Sequence, residues 1–336
     1  MDADVSGLVP PAYAGAHLLA LPCAGSATRT PLDTLARAWF PTAGWEPDPG
    51  TPRDVRPAVG ARFRGVAPVD EVRPGRLRLA DGVRVVGPFP VPTAAVRALS
   101  LRGGAGEAFA LHVEEPAPRG TPAPVPDDRD GLARAFPAGL PQGVELLLLG
   151  WAVAAARRVG GAVVVDGRAL LVPDPGASVD LTLYSPVALA PEDAVGVVRT
   201  VVPGARVARV DDRDDGARGF EVTGGTPYDG AVLLSAQHVP EVPVALGDLD
   251  PREYGPWAYR LAWQPPDPYE LEVERPSGVH VVARGRGRLL VSRLAAVLHG
   301  RVPGVLVDDG GFVVRDHDLD DRLAPSAAPS SSSIWA

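Results

Sequence analysis

The sequence contains no lysine, since all 33 residues counted together as Lys or Arg are arginine. A P-loop, a pyridoxal-phosphate Schiff base and a kinase-type phosphate site each need a lysine side chain, so these enzyme classes are excluded. The single cysteine, Cys23, excludes an intramolecular disulfide and a cysteine-rich zinc site. Abundant arginine, glycine, proline and alanine are typical of a GC-rich genome, and we expect a bacterial source.

The chain also lacks a basic excess and long apolar runs. Its net charge is −8 and its isoelectric point is about 5.3, whereas DNA-binding domains usually carry a basic stripe. No segment approaches the roughly 18 apolar residues that a membrane-spanning helix needs, and residues 1–4 lack the basic start of a secretory signal. We therefore expect a cytoplasmic protein with neither nucleic acid nor membrane as a partner.

Known cofactor and metal motifs are missing as well. The sequence contains no HExxH, no GxSxG and no complete GxGxxG pattern. Histidines and carboxylates approach each other closely only in short charged segments, which are more often solvated than metal-binding. We therefore expect no cofactor and no metal site.

The residues that are present predict an α+β fold. At about 150 residues per domain, 336 residues suggest two domains, and a hydrophobic content of 46% can fill two cores. Alternating apolar runs on both sides of Asp81-Gly82 predict a hairpin, and helical spacing predicts helices over 143–159 and 289–299. Strands are predicted at residues 17–22, 107–113, 179–184, 205–210, 220–222, 231–235, 257–263, 269–273 and 305–314, the last range being a hairpin.

Two halves of the chain resemble each other. Residues 146–174 match residues 288–316 without a gap, with eight of 29 positions identical, and residues 109–116 resemble residues 269–276. We interpret this as a tandem duplication, although shared composition is the alternative explanation. Each copy would form an antiparallel sheet with two helices in the order β-α-β-β-β-α-β-β, which is close to the ferredoxin-like, split βαβ arrangement. The predicted units are a lead at 1–15, a first lobe at 16–174 with a Pro/Asp-rich loop at 116–130, a second lobe at 179–316 and a disordered Ser-rich tail at 323–336.

The candidate binding residues lie where the second copy differs from the first. Trp257 and Trp263 belong to an aromatic cluster that the first copy lacks, and they share one face of a predicted strand. Arg286 and Arg293 are seven residues apart, so they share a helix face, and guanidinium groups bind carboxylates and phosphates well. The structural alternatives are a buried strand face for the tryptophans and a solvated helix face for the arginines.

These exclusions favour a non-catalytic protein that binds a protein partner or a small anionic ligand through Arg286, Arg293, Trp257 and Trp263. The alternative is an enzyme, a carboxylate-based hydrolase or transferase, with its site in the cleft between the lobes. An enzyme of this kind should bring at least two histidine and acidic side chains together in one concave pocket.

Overall fold

The computed structural model describes residues 7–23, 31–46, 74–101, 104–116, 118–119, 130–212, 218–273 and 275–324. Within these residues the chain forms two seven-stranded sheets and seven α-helices, so the fold class is α+β. Every strand pair is antiparallel. None of the described helices has the length and apolar content to cross a membrane.

The first lobe builds its sheet around the first strand. Its strands are β1 (His17–Pro22), β2 (Gly44–Trp45), β3 (Gly75–Ala80), β4 (Val83–Pro90), β5 (Gly106–Val113), β6 (Ala162–Val165) and β7 (Ala169–Leu171). Its helices are α1 (Leu32–Arg37), α2 (Thr93–Ala98), α3 (Leu132–Ala135) and α4 (Gly143–Val159). The strand order is β2-β3-β4-β5-β1-β6-β7, and Leu18 of the central strand lies opposite Ala110 and Val164.

The second lobe repeats this arrangement. Its strands are β8 (Leu181–Ser185), β9 (Arg206–Asp212), β10 (Arg218–Gly225), β11 (Ala231–His238), β12 (Trp257–Gln264), β13 (Val305–Asp308) and β14 (Val313–Val314). Its helices are α5 (Pro191–Arg199), α6 (Gly278–His299) and α7 (Asp316–Leu323). The sheet order read from β9 is β9-β10-β11-β12-β8-β13-β14, which is the order of the first lobe when strands are matched along the chain.

The common strand order pairs β1 with β8, β5 with β12, and the hairpin β6–β7 with β13–β14. Helices α4 and α6 occupy the same place between the fifth and sixth strands of their lobes. This is the arrangement that a tandem duplication would produce, while the duplication itself stays a prediction.

Three details of the predicted architecture need correction. Each lobe has seven strands where the predicted order β-α-β-β-β-α-β-β has six, and the ferredoxin-like arrangement is not confirmed. Residues 269–273 do not form a strand, because a 3-10 helix spans Pro268–Leu271 and the Asp267 carboxylate accepts the Tyr269 N–H at 3.0 Å. The resemblance of residues 109–116 to 269–276 therefore does not extend to the structure, since the common strand order matches β5 with β12.

The third correction concerns α6, which begins at Gly278 rather than near residue 289. The Ser277 hydroxyl accepts the His280 N–H at 3.2 Å and caps this early start. Of the predicted loop at 116–130 the structure describes residues 116, 118, 119 and 130, and of the predicted tail residues 323 and 324, so the other positions lie outside the described residues.

The two sheets are covered differently. In the first lobe, α1 and α4 pack on one face, while Leu8 and the α2 residue Val96 pack on the other. In the second lobe, α5, α6 and α7 pack on one face of the sheet. Strand β8 alternates accordingly, with Leu181 and Leu183 buried and Thr182 and Tyr184 only half-buried.

The lobes meet at the β13–β14 hairpin. Phe312 of this hairpin is 3% exposed and belongs to the hydrophobic core of the first lobe. The indole Nε1 of Trp39 donates a hydrogen bond of 2.8 Å to the Gly310 carbonyl across the interface. The Arg158 side chain, near the end of α4, donates to the Asp308 carboxylate at 2.5 Å. The hairpin thus fastens the second lobe to the first through apolar and charged contacts together.

Candidate functional site

A cavity of about 710 Å³ lies between the lobes beside this hairpin. Its walls are α1, the end of α4, residues 245–249, the hairpin and the start of α7. Sites for small molecules generally have volumes of about 300–1,000 Å³ and form where domains meet. The cavity is therefore large enough for an organic molecule, and both lobes contribute to it.

The ionisable lining of the cavity contains slightly more basic than acidic side chains. Three arginines, Arg37, Arg158 and Arg315, line it together with His317 and the two aspartates Asp248 and Asp318. Arg158 is neutralised, because its guanidinium contacts Asp308 and Asp318, the latter at 3.0 Å.

The remaining cations are more open. Arg37 donates to Asp33 at 3.1 Å, a pair with nearly half of the arginine side chain exposed. The exposed Arg315 side chain has no ion-pair partner among the described residues, although its backbone N–H donates to Asp318 at 2.9 Å. His317 Nε2 is 3.5 Å from Asp318 Oδ1, and 60% of its side chain is exposed. Arg315 on the second lobe is therefore available to an anion in the cavity. Arg37 on the first lobe also donates from Nε to the Ala43 carbonyl at 3.3 Å, so an anion would compete with Asp33 for its guanidinium.

Apolar side chains complete the lining. Leu35 and Phe312 form part of the first-lobe core and line the cavity, but they are only 1% and 3% exposed. Pro31, Leu249 and Val313 add further apolar surface. A purely inorganic ion would leave this surface exposed, so the lining suits a molecule that has an apolar body and an anionic group.

Below the cavity, Asp308 holds the hairpin together. Its Oδ1 accepts the backbone N–H groups of Gly310 at 3.0 Å and Phe312 at 2.9 Å, and these bonds fix the turn. Burial raises the pKa of this carboxyl, while Arg158 and the hydrogen bond from Phe312 oppose the rise. Burial also disfavours the charged form of the neighbouring Arg322 and so lowers its pKa. The Arg322 side chain donates to the Ser178 hydroxyl at 2.9 Å. Asp308 and Arg322 do not line the cavity, but the bonds of Asp308 hold the hairpin that forms one of its walls.

A second charged cluster lies in the first lobe. The Asp166 backbone N–H donates to His17 Nδ1 at 3.0 Å, so the hydrogen of the neutral ring sits on Nε2 and points at Glu145 Oε1, 3.1 Å away. Arg119 donates to the same Glu145 oxygen at 2.6 Å and to Asp166 at 3.3 Å. Glu145 is only 2% exposed, and its Oε2 has no hydrogen-bond partner among the described residues.

This cluster ties the start of β1 to the first turn of α4 and to the β6–β7 turn. Among the described residues, the cavity between the lobes and the small cavity beside His280 and Arg284 are not lined by this cluster. The contacts therefore explain the cluster as one that stabilises the fold of the first lobe. Sequence reasoning missed the cluster, although an acid inside the apolar run at 143–149 was a visible signal.

The structure places two of the predicted binding residues together. Trp263 is 6% exposed, covers Gly287 of α6 and donates from Nε1 to the Asp229 carbonyl at 2.6 Å. Arg286 donates to the Asp229 carboxylate at 3.2 Å, and 63% of its side chain is exposed. Both side chains therefore meet at Asp229.

The other two predicted residues lie apart. Trp257 stands at the opposite end of β12, opposite His238 and Ser185, which is about 20 Å from Trp263 at the usual rise of a strand. Arg293 is exposed and forms no contact with a charged group among the described residues. The structure thus does not assemble Arg286, Arg293, Trp257 and Trp263 into one pocket, and their role in binding stays a prediction.

Comparison with known proteins adds no further information. The sequence matches no protein-family model, and neither the search of curated proteins nor that of solved structures finds a match. Among the described residues, no group of three or more His, Cys, Asp or Glu side chains is arranged to hold a metal ion. The function must therefore be argued from the geometry of the cavity.

Proposed function

We propose that this protein binds a small organic anion in the cavity between its lobes and does not transform it. The observation that carries the proposal is a cavity of about 710 Å³ with Arg37 on one wall and Arg315 on the other. Guanidinium groups form strong, directional hydrogen bonds with carboxylates and phosphates. A ligand of this class would satisfy cations from both lobes.

The rest of the lining defines the shape of the ligand. Pro31, Leu249 and Val313 provide apolar surface next to the arginines. Hydrogen bonds to charged groups contribute about 1.5–3 kcal/mol each, and buried apolar surface adds about 25 cal/mol per Å². A carboxylate or phosphate ester with a compact apolar body fits both contributions, whereas a highly charged polyphosphate would meet Asp248 and Asp318.

Binding at this place should stabilise the folded protein. A ligand that bridges the lobes binds the native state alone, and it raises stability by about 2.7 kcal/mol at a concentration one hundred times its dissociation constant. The melting temperature therefore reports binding directly.

The proposal is tested by a thermal-shift screen of carboxylates and phosphate monoesters. We expect at least one compound to raise the melting temperature of the wild type, and Arg315→Ala and Arg37→Ala to abolish most of that shift. Arg301→Ala is the matched control, because Arg301 is an exposed arginine that does not line the cavity. A shift that survives both cavity variants but is lost in Arg286→Ala/Arg293→Ala would move the site to the face of α6 predicted from the sequence.

The enzyme alternative has one observation in its favour. The imidazole of His317 lies in the same cavity as the carboxylates of Asp248 and Asp318, which meets the criterion for a hydrolase or transferase. Mass spectrometry of the ligands after incubation separates the two functions. Unchanged ligand supports binding alone, whereas turnover that disappears in His317→Ala would assign a catalytic function.

A further inference from the structure

Helix α6 carries two stripes of residues with helical spacing. One stripe packs on the sheet of the second lobe and contains Ala283, Gly287, Val291, Leu294 and Leu298. The other stripe, which we call the outer stripe, consists of Val279, Val282, Arg286, Leu289 and Arg293. Its spacing of three, four, three and four residues is the spacing with which one helix packs along another.

The apolar part of the outer stripe is unusually exposed. Val279 is 80% exposed and Val282 is 53% exposed. Valine is a weaker helix former than alanine, glutamate or arginine, so a helix face that meets only water gains nothing from it. Leu289 continues the stripe and is half-buried. Contiguous apolar residues on an exposed helix face indicate a surface that a partner covers.

The charge of the helix defines that partner. Helix α6 contains four arginines and no acidic residue, although the whole chain has a net charge of −8. Within the outer stripe, Arg286 contacts Asp229 at 3.2 Å in an exposed pair, and Arg293 has no charged partner among the described residues. Exposed ion pairs of this kind stabilise a protein very little, so Arg286 can exchange its partner.

In the first lobe, the position on α4 that aligns with Arg293 is covered by side chains of the same lobe. In the gapless sequence match, Arg293 of α6 aligns with Trp151 of α4. Trp151 is fully buried and donates from Nε1 to the Leu35 carbonyl of α1 at 2.9 Å. Phe40 packs against this indole with the ring centres 6.0 Å apart. In the second lobe an exposed arginine replaces the tryptophan, so this end of the stripe remains open.

We infer that the outer stripe of α6 binds an acidic amphipathic helix of a partner protein. Apolar side chains of that helix would cover Val279, Val282 and Leu289, while two carboxylates seven residues apart would pair with Arg286 and Arg293. Gly285 beside the stripe has open space where a Cβ would stand, which lets a partner backbone approach closely. This inference does not depend on the interlobe cavity.

An anionic membrane is the weaker candidate for the same surface. Only two arginines lie on the stripe, and each basic residue contributes about 1 kcal/mol of attraction to an acidic lipid surface. The net charge of −8 on the whole chain opposes that attraction. A short acidic helix meets the arginines without bringing the rest of the chain against a charged surface.

The test uses a fluorescein-labelled synthetic helix of about three heptads with leucines at three- and four-residue spacing and two glutamates seven residues apart. We expect saturable binding in fluorescence anisotropy and a loss of affinity of at least about tenfold in Val282→Asp and in Arg286→Glu/Arg293→Glu. Val281→Asp is the matched control, because it is the same substitution one residue away, outside the stripe and at a side chain 36% exposed. Circular dichroism verifies that each variant is folded.

Other outcomes would overturn the inference. These are the absence of binding, equal binding of a peptide with lysines in place of the glutamates, or equal losses in Val281→Asp and Val282→Asp. Stronger binding to vesicles of equal parts phosphatidylglycerol and phosphatidylcholine would assign the surface to a membrane. A dimer in sedimentation velocity that Val282→Asp dissociates would assign it to a second copy of the chain.

Discussion

Replacing Arg158 with methionine should destabilise the junction between the lobes. Arg158 donates to Asp308 at 2.5 Å and to the Val313 carbonyl and Asp318 at 3.0 Å, and its guanidinium lies 5.4 Å from the centre of the Phe312 ring. Methionine retains much of the apolar stem but removes the nearest charged partner of the Asp308 carboxylate, whose side chain is 4% exposed, and leaves only Arg322 at 4.0 Å.

The expected loss in the free energy of unfolding follows from removing Arg158 from the buried Asp308 carboxylate. Removing one partner of a buried ion pair costs about 3–5 kcal/mol, and the 15% exposure of the Arg158 side chain places this case near the lower end. With a urea m-value of about 2 kcal/mol/M, a loss of about 3 kcal/mol lowers the unfolding midpoint by about 1.5 M. In Arg158→Met/Asp308→Asn the asparagine oxygen still accepts the turn N–H groups and the buried anion is removed, so part of the loss should be recovered, although Arg322 then loses its contact with the Asp308 carboxylate.

The loss should also depend on pH. Burial raises the pKa of Asp308 in the folded protein, and removing Arg158 takes away the strongest opposing influence, so the pKa of this carboxyl rises further. A group with a raised folded pKa stabilises the folded state below its unfolded pKa, and that stability is lost as the pH rises through the folded value. Arg158→Met should therefore lie closer to the wild type at pH 5 than at pH 8.

Urea unfolding, followed by tryptophan fluorescence at pH 5 and pH 8, measures all three proteins. The reasoning is refuted if Arg158→Met loses less than about 0.5 kcal/mol, the scatter typical of ordinary surface substitutions. It is also refuted if the added Asp308→Asn substitution recovers nothing.

Two further predictions concern the second-lobe core. Gly287→Ala should destabilise the protein by about 1–3 kcal/mol, because a Cβ there would lie 2.5 Å from the Trp263 ring. The control Gly285→Ala has open space around its Cβ and should stabilise α6 by up to about 1 kcal/mol. Thermal unfolding compares the two variants, and equal effects would contradict the packing argument. Tyr259→Phe should cost about 1–3 kcal/mol, because the Tyr259 hydroxyl donates to the Val187 carbonyl and accepts the Leu189 N–H, each at 2.7 Å. Burial raises the pKa of Tyr259 to about 12. In urea unfolding, the difference in stability between the wild type and Tyr259→Phe should therefore persist up to pH 10 and shrink as the pH approaches 12. A difference already lost at pH 9 would contradict this prediction.

Local signals predicted most of the individual elements. The structure has β1 at His17–Pro22 and α4 at Gly143–Val159, the bounds predicted from apolar runs and helical spacing. The hairpin turn of β3 and β4 falls at Asp81-Gly82 because glycine there takes a positive φ of 68°. Such features depend on a few neighbouring residues, so a single sequence contains them.

Errors arose where tertiary contacts decide the structure. The first half of α6 was missed because Gly278, Gly285 and Gly287 lower helix propensity. The structure gives a reason for one of them, since the Trp263 ring occupies the space that a side chain at residue 287 would need. A cleft between the lobes was expected for the enzyme alternative, but its lining could not be predicted. The lining comes from residues 31–38, 158, 245–249 and 312–318, which only the docking of the lobes brings together.

The most direct test of the binding site is isothermal titration calorimetry with the strongest compound from the thermal-shift screen. The predicted result is one binding site per chain, with affinity reduced at least about tenfold in Arg315→Ala, equivalent to about 1.4 kcal/mol, and unchanged in Arg301→Ala. Equal affinity in wild type and Arg315→Ala would contradict the assignment of the interlobe cavity as the site of anion binding.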